Sequence, residues 1–184
     1  CQAMGGSYHN SKIGSCDYSD AAVFSLHPVK SITTGEGGLI VTNDNKLFEN
    51  ALLKRSHGMR IPNMEFDDHF GPWHREMVCD GNNFRITEFQ CALGISQLKK
   101  LDSFIQKRRK LVGLYQDRLG NHDMLRLQHF PKNIDSAFHL MLIQLELEKL
   151  SKGKIKIFEE LESFYIHLSV HYYPIPLHPF YRKF

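Results

Sequence analysis

Thr87-Glu88-Phe89-Gln90 sets a hydroxyl three residues ahead of a carboxamide, the spacing of a helix capping box, and an apolar series opens directly behind it. Phe89, Ala92, Leu93, Leu98, Leu101, Phe104 and Ile105 recur at helical intervals. One long amphipathic helix is therefore expected, bending near Asp102 and running on through Leu111, Val112, Tyr115 and Leu119 until Gly120 stops it. A helix with a single apolar stripe has to bury it against another layer. The chain can provide one: its 184 residues are 42% hydrophobic and 23% charged, enough for a core without metals or disulfides and too apolar for a disordered chain. A net charge of +3 argues against a dedicated nucleic-acid binder, which needs a basic excess to neutralise several phosphates.

Around that helix the pattern alternates between strands and helices. Residues 21–26 and 38–42 are short β-prone apolar runs separated by the turn-prone Thr33-Thr34-Gly35-Glu36-Gly37. Asn43 and Asp44 can cap a helix whose Leu47, Ala51 and Leu52 share a face that should cover a sheet, with Gly58 as its left-handed stop. Residues 61–81 carry prolines, glycines and scattered aromatics without a period, as a long surface excursion would. Farther on, residues 138–147 read as a strand, 154–164 as a helix and 168–172 as a strand, before Pro174, Pro176 and Pro179 force irregular chain.

The longest purely aliphatic stretch, Leu39-Ile40-Val41, is far short of the ~20 residues that cross a bilayer. No basic-then-apolar leader opens the chain, so no membrane partner is expected and a cytoplasmic location is. Cys1, Cys16, Cys79 and Cys91 form no CxxC pair and are expected to be reduced. Cys1-Gln2-Ala3-Met4-Gly5-Gly6 reads as the middle of a longer segment, and the chain is expected to be a fragment.

Ser25 stands five residues before Lys30, at the end of a strand leading into a glycine-bounded loop. That arrangement suits a phosphorylated carbonyl cofactor, because a sheltered lysine amine can form a Schiff base with an aldehyde while a nearby hydroxyl donates to the phosphate. Taken alone, the same spacing more often marks a solvated loop lysine and an ordinary strand serine.

Four blocks in order carry more: Gln2-Ala3-Met4-Gly5-Gly6, residues 25–30 with Gly35-Glu36-Gly37-Gly38, Gly81-Asn82-Asn83-Phe84-Arg85, and Val170-His171-Tyr172. Together they resemble the DegT/DnrJ/EryC1/StrS family of sugar aminotransferases, which use pyridoxal 5'-phosphate (PLP). The resemblance covers nearly the whole chain and is weakest over residues 120–169. Residues 89–102, Gly71-Pro72-Trp73 and Pro174-Ile175-Pro176-Leu177 are similar to one subgroup, whose members act in pseudaminic acid biosynthesis.

What the resemblance implies is an α/β chain with part of the PLP-dependent transferase fold of the aspartate aminotransferase type (fold type I). Residues 1–120 are then the later part of the large PLP-binding domain with the long connecting helix, and residues 121–184 part of the small C-terminal domain. Lys30 matches the Schiff-base lysine and Ser25 the phosphate-binding serine. Gln2 matches the residue on the cofactor's ring hydroxyl, and Asn83 the asparagine reaching the phosphate of a neighbouring subunit's cofactor, which implies a homodimer. His171 and Tyr172 match a His-Tyr pair near the sugar nucleotide; a packed strand histidine is the other reading of His171. The implied reaction moves an amino group from L-glutamate to C4 of a UDP-4-keto-6-deoxy-N-acetylhexosamine. The family's aspartate on the pyridine nitrogen falls just ahead of Cys1 and its glycine-threonine phosphate loop farther upstream. Tyr165 stands where the family usually has a glycine.

Other readings fare worse. His167 and His171 lie in or beside an expected strand, where four residues separate side chains by ~13 Å, too far to share a zinc ion at ~2 Å bonds, so no metal is expected. Lys107-Arg108-Arg109-Lys110 sits on the long helix without aromatic stacking partners and reads as a solvated face. A non-catalytic remnant that folds or dimerises without turnover remains open, as does an aminotransferase acting on a different nucleotide keto-sugar.

Overall fold

The structure, a computed structural model, describes residues 2–60, 71 and 73–184. In chain order its elements are β1 (Ser7–Tyr8), β2 (Ser11–Lys12), β3 (Ala22–Ser25), β4 (Gly38–Val41), α1 (Asn45–Arg55), β5 (Met59–Arg60), β6 (Glu76–Met77), α2 (Glu88–Leu98), α3 (Leu101–Leu119), β7 (Leu125–Leu127), β8 (Ile134–Asp135), β9 (Ile143–Leu145) and α4 (Lys154–Ser163). They divide into two compact units, residues 1–120 with 128–142, and residues 121–127 with 143–184. Residues 128–142, beyond the boundary expected at Gly120, thus lie with the first unit.

Within the first unit, local chemistry sets the helices. The Asp44 carboxylate accepts from the Lys46 and Leu47 amides at 2.7 and 3.1 Å and starts α1. Gly58, at φ +66°, donates its amide to the Leu53 carbonyl, and a Cβ there would collide with the Cys79 carbonyl oxygen. Leu47 and Ala51 are half-buried, but Leu52 and Phe48 are exposed, so the face expected to cover a sheet is only partly used. The long helix is two helices: α2 ends at Leu98 and α3 begins at Leu101, with the break at Lys99 and Lys100 just ahead of the bend expected near Asp102.

α3 carries the core on one stripe, where Ile105 and Val112 are buried. Phe24, Leu26, Ile32 and Ala137 are the other buried hydrophobic side chains among the described residues. Arg108 donates to the Phe138 and His139 carbonyls at 3.3 and 3.0 Å, and Arg109 to the Ser136 carbonyl at 3.2 Å and the Asp135 carboxylate at 2.6 Å. These arginines, expected as a solvated face, hold residues 135–139 onto the helix. They also explain why the strand expected over residues 138–147 shrinks to Ile143–Leu145: Phe138 takes a left-handed φ of +47°, and two carbonyls that a ladder needs accept from Arg108 instead.

β3 and β4 form an antiparallel hairpin in the register Ala22↔Val41, Val23↔Ile40, Phe24↔Leu39, Ser25↔Gly38. A three-stranded sheet in the order β2-β1-β8 was not anticipated. Its tight turn rests on His9 and Asn10 at φ +47° and +65°, both in the left-handed region that a two-residue hairpin loop requires. Of the excursion expected over residues 61–81, residues 61–70 and 72 lie outside the described residues; β6 within it pairs with β5. Cys16, Cys79 and Cys91 are free thiols, and Cys1 lies outside the described residues.

In the second unit β7 pairs with β9, and α4 follows. α4 ends as left-handed helix stops do: Tyr165 sits at φ +62°, its amide donates to the Glu162 carbonyl, and the Ile166 amide reaches back to Leu161. The strand expected over residues 168–172 is absent: the one ladder among the described residues of this unit is β7–β9, and this segment pairs with neither of its strands. No helix among the described residues is long and apolar enough to cross a membrane.

Candidate active site

Ser25 closes β3 on the sheet face opposite Phe24 and Leu26, because side chains alternate along a strand. Its Oγ accepts from the His27 amide at 3.3 Å, which leaves the hydroxyl proton free to donate to an anion. Pro28 then sets a turn in which the Lys30 amide donates to the His27 carbonyl at 2.9 Å. Ser25 and Lys30 are thereby brought into one short loop. Lys30 is half-buried, is followed directly by buried Ser31 and Ile32, and has no ion-pair partner among the described residues.

Residues 33–37 close the loop from its far side. The Leu26 carbonyl accepts from the Thr34 amide at 3.0 Å and the Thr33 hydroxyl at 2.9 Å, while the Leu26 amide donates to Gly37 at 2.9 Å. Thr34, only 3% exposed, donates its hydroxyl to the Glu36 carbonyl at 2.7 Å. Gly37 is obligatory: at φ +152° its Cβ would stand 2.5 Å from Thr34 Oγ1. At the rim, His27 Nε2 faces the Glu36 carboxylate at 3.8 Å. Sequence reasoning missed Thr33 and Thr34 as the loop's braces, although two adjacent hydroxyls before a glycine are the signal for side-chain-to-backbone turns.

The other expected site residues belong to other segments of the chain. Asn83 is strapped to the end of α1 by a bridge to Ser56, with Asn82 and Phe84 donating to the Lys54 and Arg55 carbonyls. Its Oδ1 accepts from the Arg85 amide at 3.4 Å and the residue is exposed. Three residues on, Ile86 Cδ1 lies 3.1 Å from where a Cβ on Gly37 would be. Gln2 is exposed, just ahead of a turn in which the Gly6 amide donates to Ala3. His171 and Tyr172 belong to the second unit, are exposed, and hold their rings 4.3 Å apart.

A primary amine without a counter-ion among the described residues, a hydroxyl with its proton to spare and a loop fixed through its backbone form a donor set that fits a phosphorylated aldehyde.

By its structural neighbours, this is part of the PLP-dependent transferase fold of the aspartate aminotransferase type, fold type I. The chain belongs to the DegT/DnrJ/EryC1/StrS aminotransferase family, whose model matches residues 1–184. It is 38% identical over 181 residues to a UDP-4-amino-4,6-dideoxy-N-acetyl-beta-L-altrosamine transaminase of Helicobacter pylori, covering 98% of this chain and 45% of the relative. Among solved structures it is similar to Helicobacter pylori PseC, an aminotransferase involved in the biosynthesis of pseudoaminic acid, with a TM-score of 0.84 at 36% identity over 99% of this chain and 46% of that one. A sugar aminotransferase of Streptococcus pneumoniae, described as putative and solved in its PMP form, also reaches 0.84, at 26% identity over 99% of this chain and 46% of that one. Its PLP form is a further neighbour, so the cofactor these relatives indicate is pyridoxal phosphate. The chain spans about 45% of the length of the curated relatives it matches.

Proposed function

We propose that the protein containing this chain is a sugar-nucleotide aminotransferase that moves the amino group of L-glutamate to C4 of a UDP-4-keto-6-deoxy-N-acetylhexosamine, a step of pseudaminic acid biosynthesis. The observation that carries the reading is the loop joining Ser25 to Lys30, with an amine that has no ion-pair partner among the described residues and an available hydroxyl. The Helicobacter pylori relative supports the choice of substrate.

Bound here, pyridoxal phosphate supplies a carbonyl for amines and a conjugated ring that takes up the electron pair released at the amino acid's α-carbon. Lys30 holds it through Nζ and, as a free amine during turnover, carries a proton from the α-carbon of glutamate to the cofactor's C4′ and back again for the sugar. Ser25 donates its hydroxyl to the phosphate, and Gln2 contacts the ring hydroxyl. His171 and Tyr172 meet the sugar nucleotide. Residues 1–120 serve as the later part of the large domain, joined by residues 128–142 that lie with them, and the rest of residues 121–184 as part of the small one.

The enzyme works in the cytoplasm as a homodimer in which Asn83 reaches the phosphate held by the partner. Exposure of Asn83, with its backbone fixed to α1, supports that role.

The test supplies the full chain with PLP, glutamate and the UDP-4-keto sugar, and follows 2-oxoglutarate together with a visible band removed by borohydride. Absence of both would leave the remnant reading standing. Mixing Asn83→Ala with Lys30→Ala subunits tests the dimer: one site of a mixed dimer has both residues intact, so activity should return; none on mixing would place Asn83 within its own subunit's site or outside any site.

A further inference from the structure

Gln90 is committed at both ends. Its Oε1 accepts from the Thr87 amide at 3.0 Å and the Thr87 hydroxyl at 2.9 Å, while its own amide donates to Thr87 Oγ1 at 3.3 Å, which completes the cap of α2. With the carboxamide oxygen so engaged, Nε2 points away from the helix and donates to the Glu36 carbonyl at 2.8 Å. A carboxamide can serve two masters in this way because one end only accepts and the other only donates.

One turn along α2, Gly94 faces the same loop. A Cβ there would stand 2.9 Å from Thr34 Cγ2. Positions 90 and 94 share a helix face, so α2 meets residues 34–37 through a donor at one turn and a bare backbone at the next. The Glu36 carbonyl that accepts from Gln90 also accepts from Thr34, and the next carbonyl, Gly37, accepts from Leu26, the residue after Ser25. Both polar groups of the Leu26 peptide are thus held by residues 33–37, and those residues are held by α2.

We propose that Gln90 is a positioning residue for the cofactor loop: it locks residues 33–37 onto the start of α2 and through them sets where Ser25 and Lys30 stand. The role rests on the reading of Lys30 and Ser25 as cofactor ligands. It lies outside helix stability, because the helix cap uses the oxygen of Gln90 and the loop uses its nitrogen.

Two substitutions in the full chain separate these roles, and a third tests rescue. Gln90→Glu keeps the acceptor, with a charge that suits a helix N-terminus, but removes the donor and turns an oxygen toward the Glu36 carbonyl. Thr87→Ala removes the cap hydroxyl and leaves the donor in place. For Gln90→Glu the apoprotein should melt at the parent temperature, backbone amides of residues 33–37 should exchange faster with solvent, and the PLP dissociation constant, read from the visible band, should rise roughly tenfold. For Thr87→Ala the melting temperature should fall while PLP affinity stays within about twofold. Gln90→Lys, which restores a donor, should bind PLP more tightly than Gln90→Glu.

Parent-like exchange and PLP affinity in Gln90→Glu would overturn the proposal, as would affinity losses that simply follow the melting temperature in both variants. If the unaltered protein shows no borohydride-reducible band, the proposed function fails by itself, and amide exchange in the apoprotein still decides whether Gln90 holds the loop.

Discussion

The loop from Ser25 to Gly37 and the segment from Leu168 to Tyr173 are both short stretches to which the sequence assigns ligand contacts, and they are built differently. In the first, Ser31, Ile32 and Thr34 are buried and the Leu26 peptide is held on both sides by residues 33–37. In the second every residue is exposed; the Leu168 amide donates to the Glu162 carboxylate at 3.3 Å and the Tyr173 hydroxyl accepts from Arg182 at 3.1 Å. A β-prone run leads into the first, at residues 21–26, and makes up most of the second. What separates them is a partner: β3 has β4 at its side, and residues 168–172 have no strand. Backbone order here follows from pairing, with propensity a weak contributor.

Substitutions can break that contrast or sharpen it. The largest effect is expected at Lys30: in the full chain Lys30→Ala should abolish both transamination and the borohydride-reducible band, since no other group takes both of its roles. A band that persists would move the attachment to another lysine, with Lys12 and Lys46 the nearest controls. Gly37→Ala comes next. It drives a Cβ against Thr34 Oγ1 in a backbone region that suits glycine, and should cost about 2 kcal/mol in chemical denaturation. The same logic runs backwards at the end of α4, three residues ahead of the other segment, where Tyr165, 87% exposed, holds a left-handed φ of +62°. Tyr165→Gly should therefore stabilise the protein by about 0.5–1 kcal/mol, after allowing for the greater freedom of glycine in the unfolded chain. A loss of stability on that substitution would mean that the tyrosine ring makes up for its backbone.

The smallest effects are electrostatic. Hydrogen bonds from Ser11, and then Ser15, hold the Asp17 carboxyl below the ordinary aspartate range, while a hydrogen bond from Lys152 does the same for Glu160. A carboxyl depressed in the folded state adds stability above its unfolded pKa and loses it as pH falls through the folded value. Both contributions should thus vanish on the acid side of the ordinary carboxylate range. Added salt should tell them apart in a carboxyl NMR titration: the Glu160 value should move up as the Lys152 charge is screened, and Asp17, held by neutral hydroxyls, should stay low.

How much of this was legible depended on the range over which each feature is decided. The caps at Asp44 and Thr87 involve partners two or three residues away, and the sequence shows them directly. The β3–β4 hairpin was legible for the same reason. The pairing of β1 with β8 joins Ser7 to Asp135, and no local pattern announces such a contact. The arginines at 108 and 109 read as solvated because three of their four acceptors are backbone carbonyls about thirty residues away, a group that every residue carries, and the fourth, the Asp135 carboxylate, is as distant in sequence. In the site, Ser25 and Lys30 were legible as a pair, while Thr33, Thr34 and Gln90 show their part only once the loop is folded back on α2.

The β1–β8 pairing has a kinetic side. The β1–β2 hairpin can close as soon as residues 7–12 exist, yet its open edge waits for β8 and for α3, whose Ile105 lies so close to Gly5 that any Cβ there would overlap it. Contacts of such sequence separation raise the contact order and bring their reward only after a large loop has closed. During synthesis the hairpin leaves the ribosome long before its mates. Throughout that interval its unpaired edge is open to other chains, so the yield of folded protein should depend on translation speed and on chaperones that shield nascent strands.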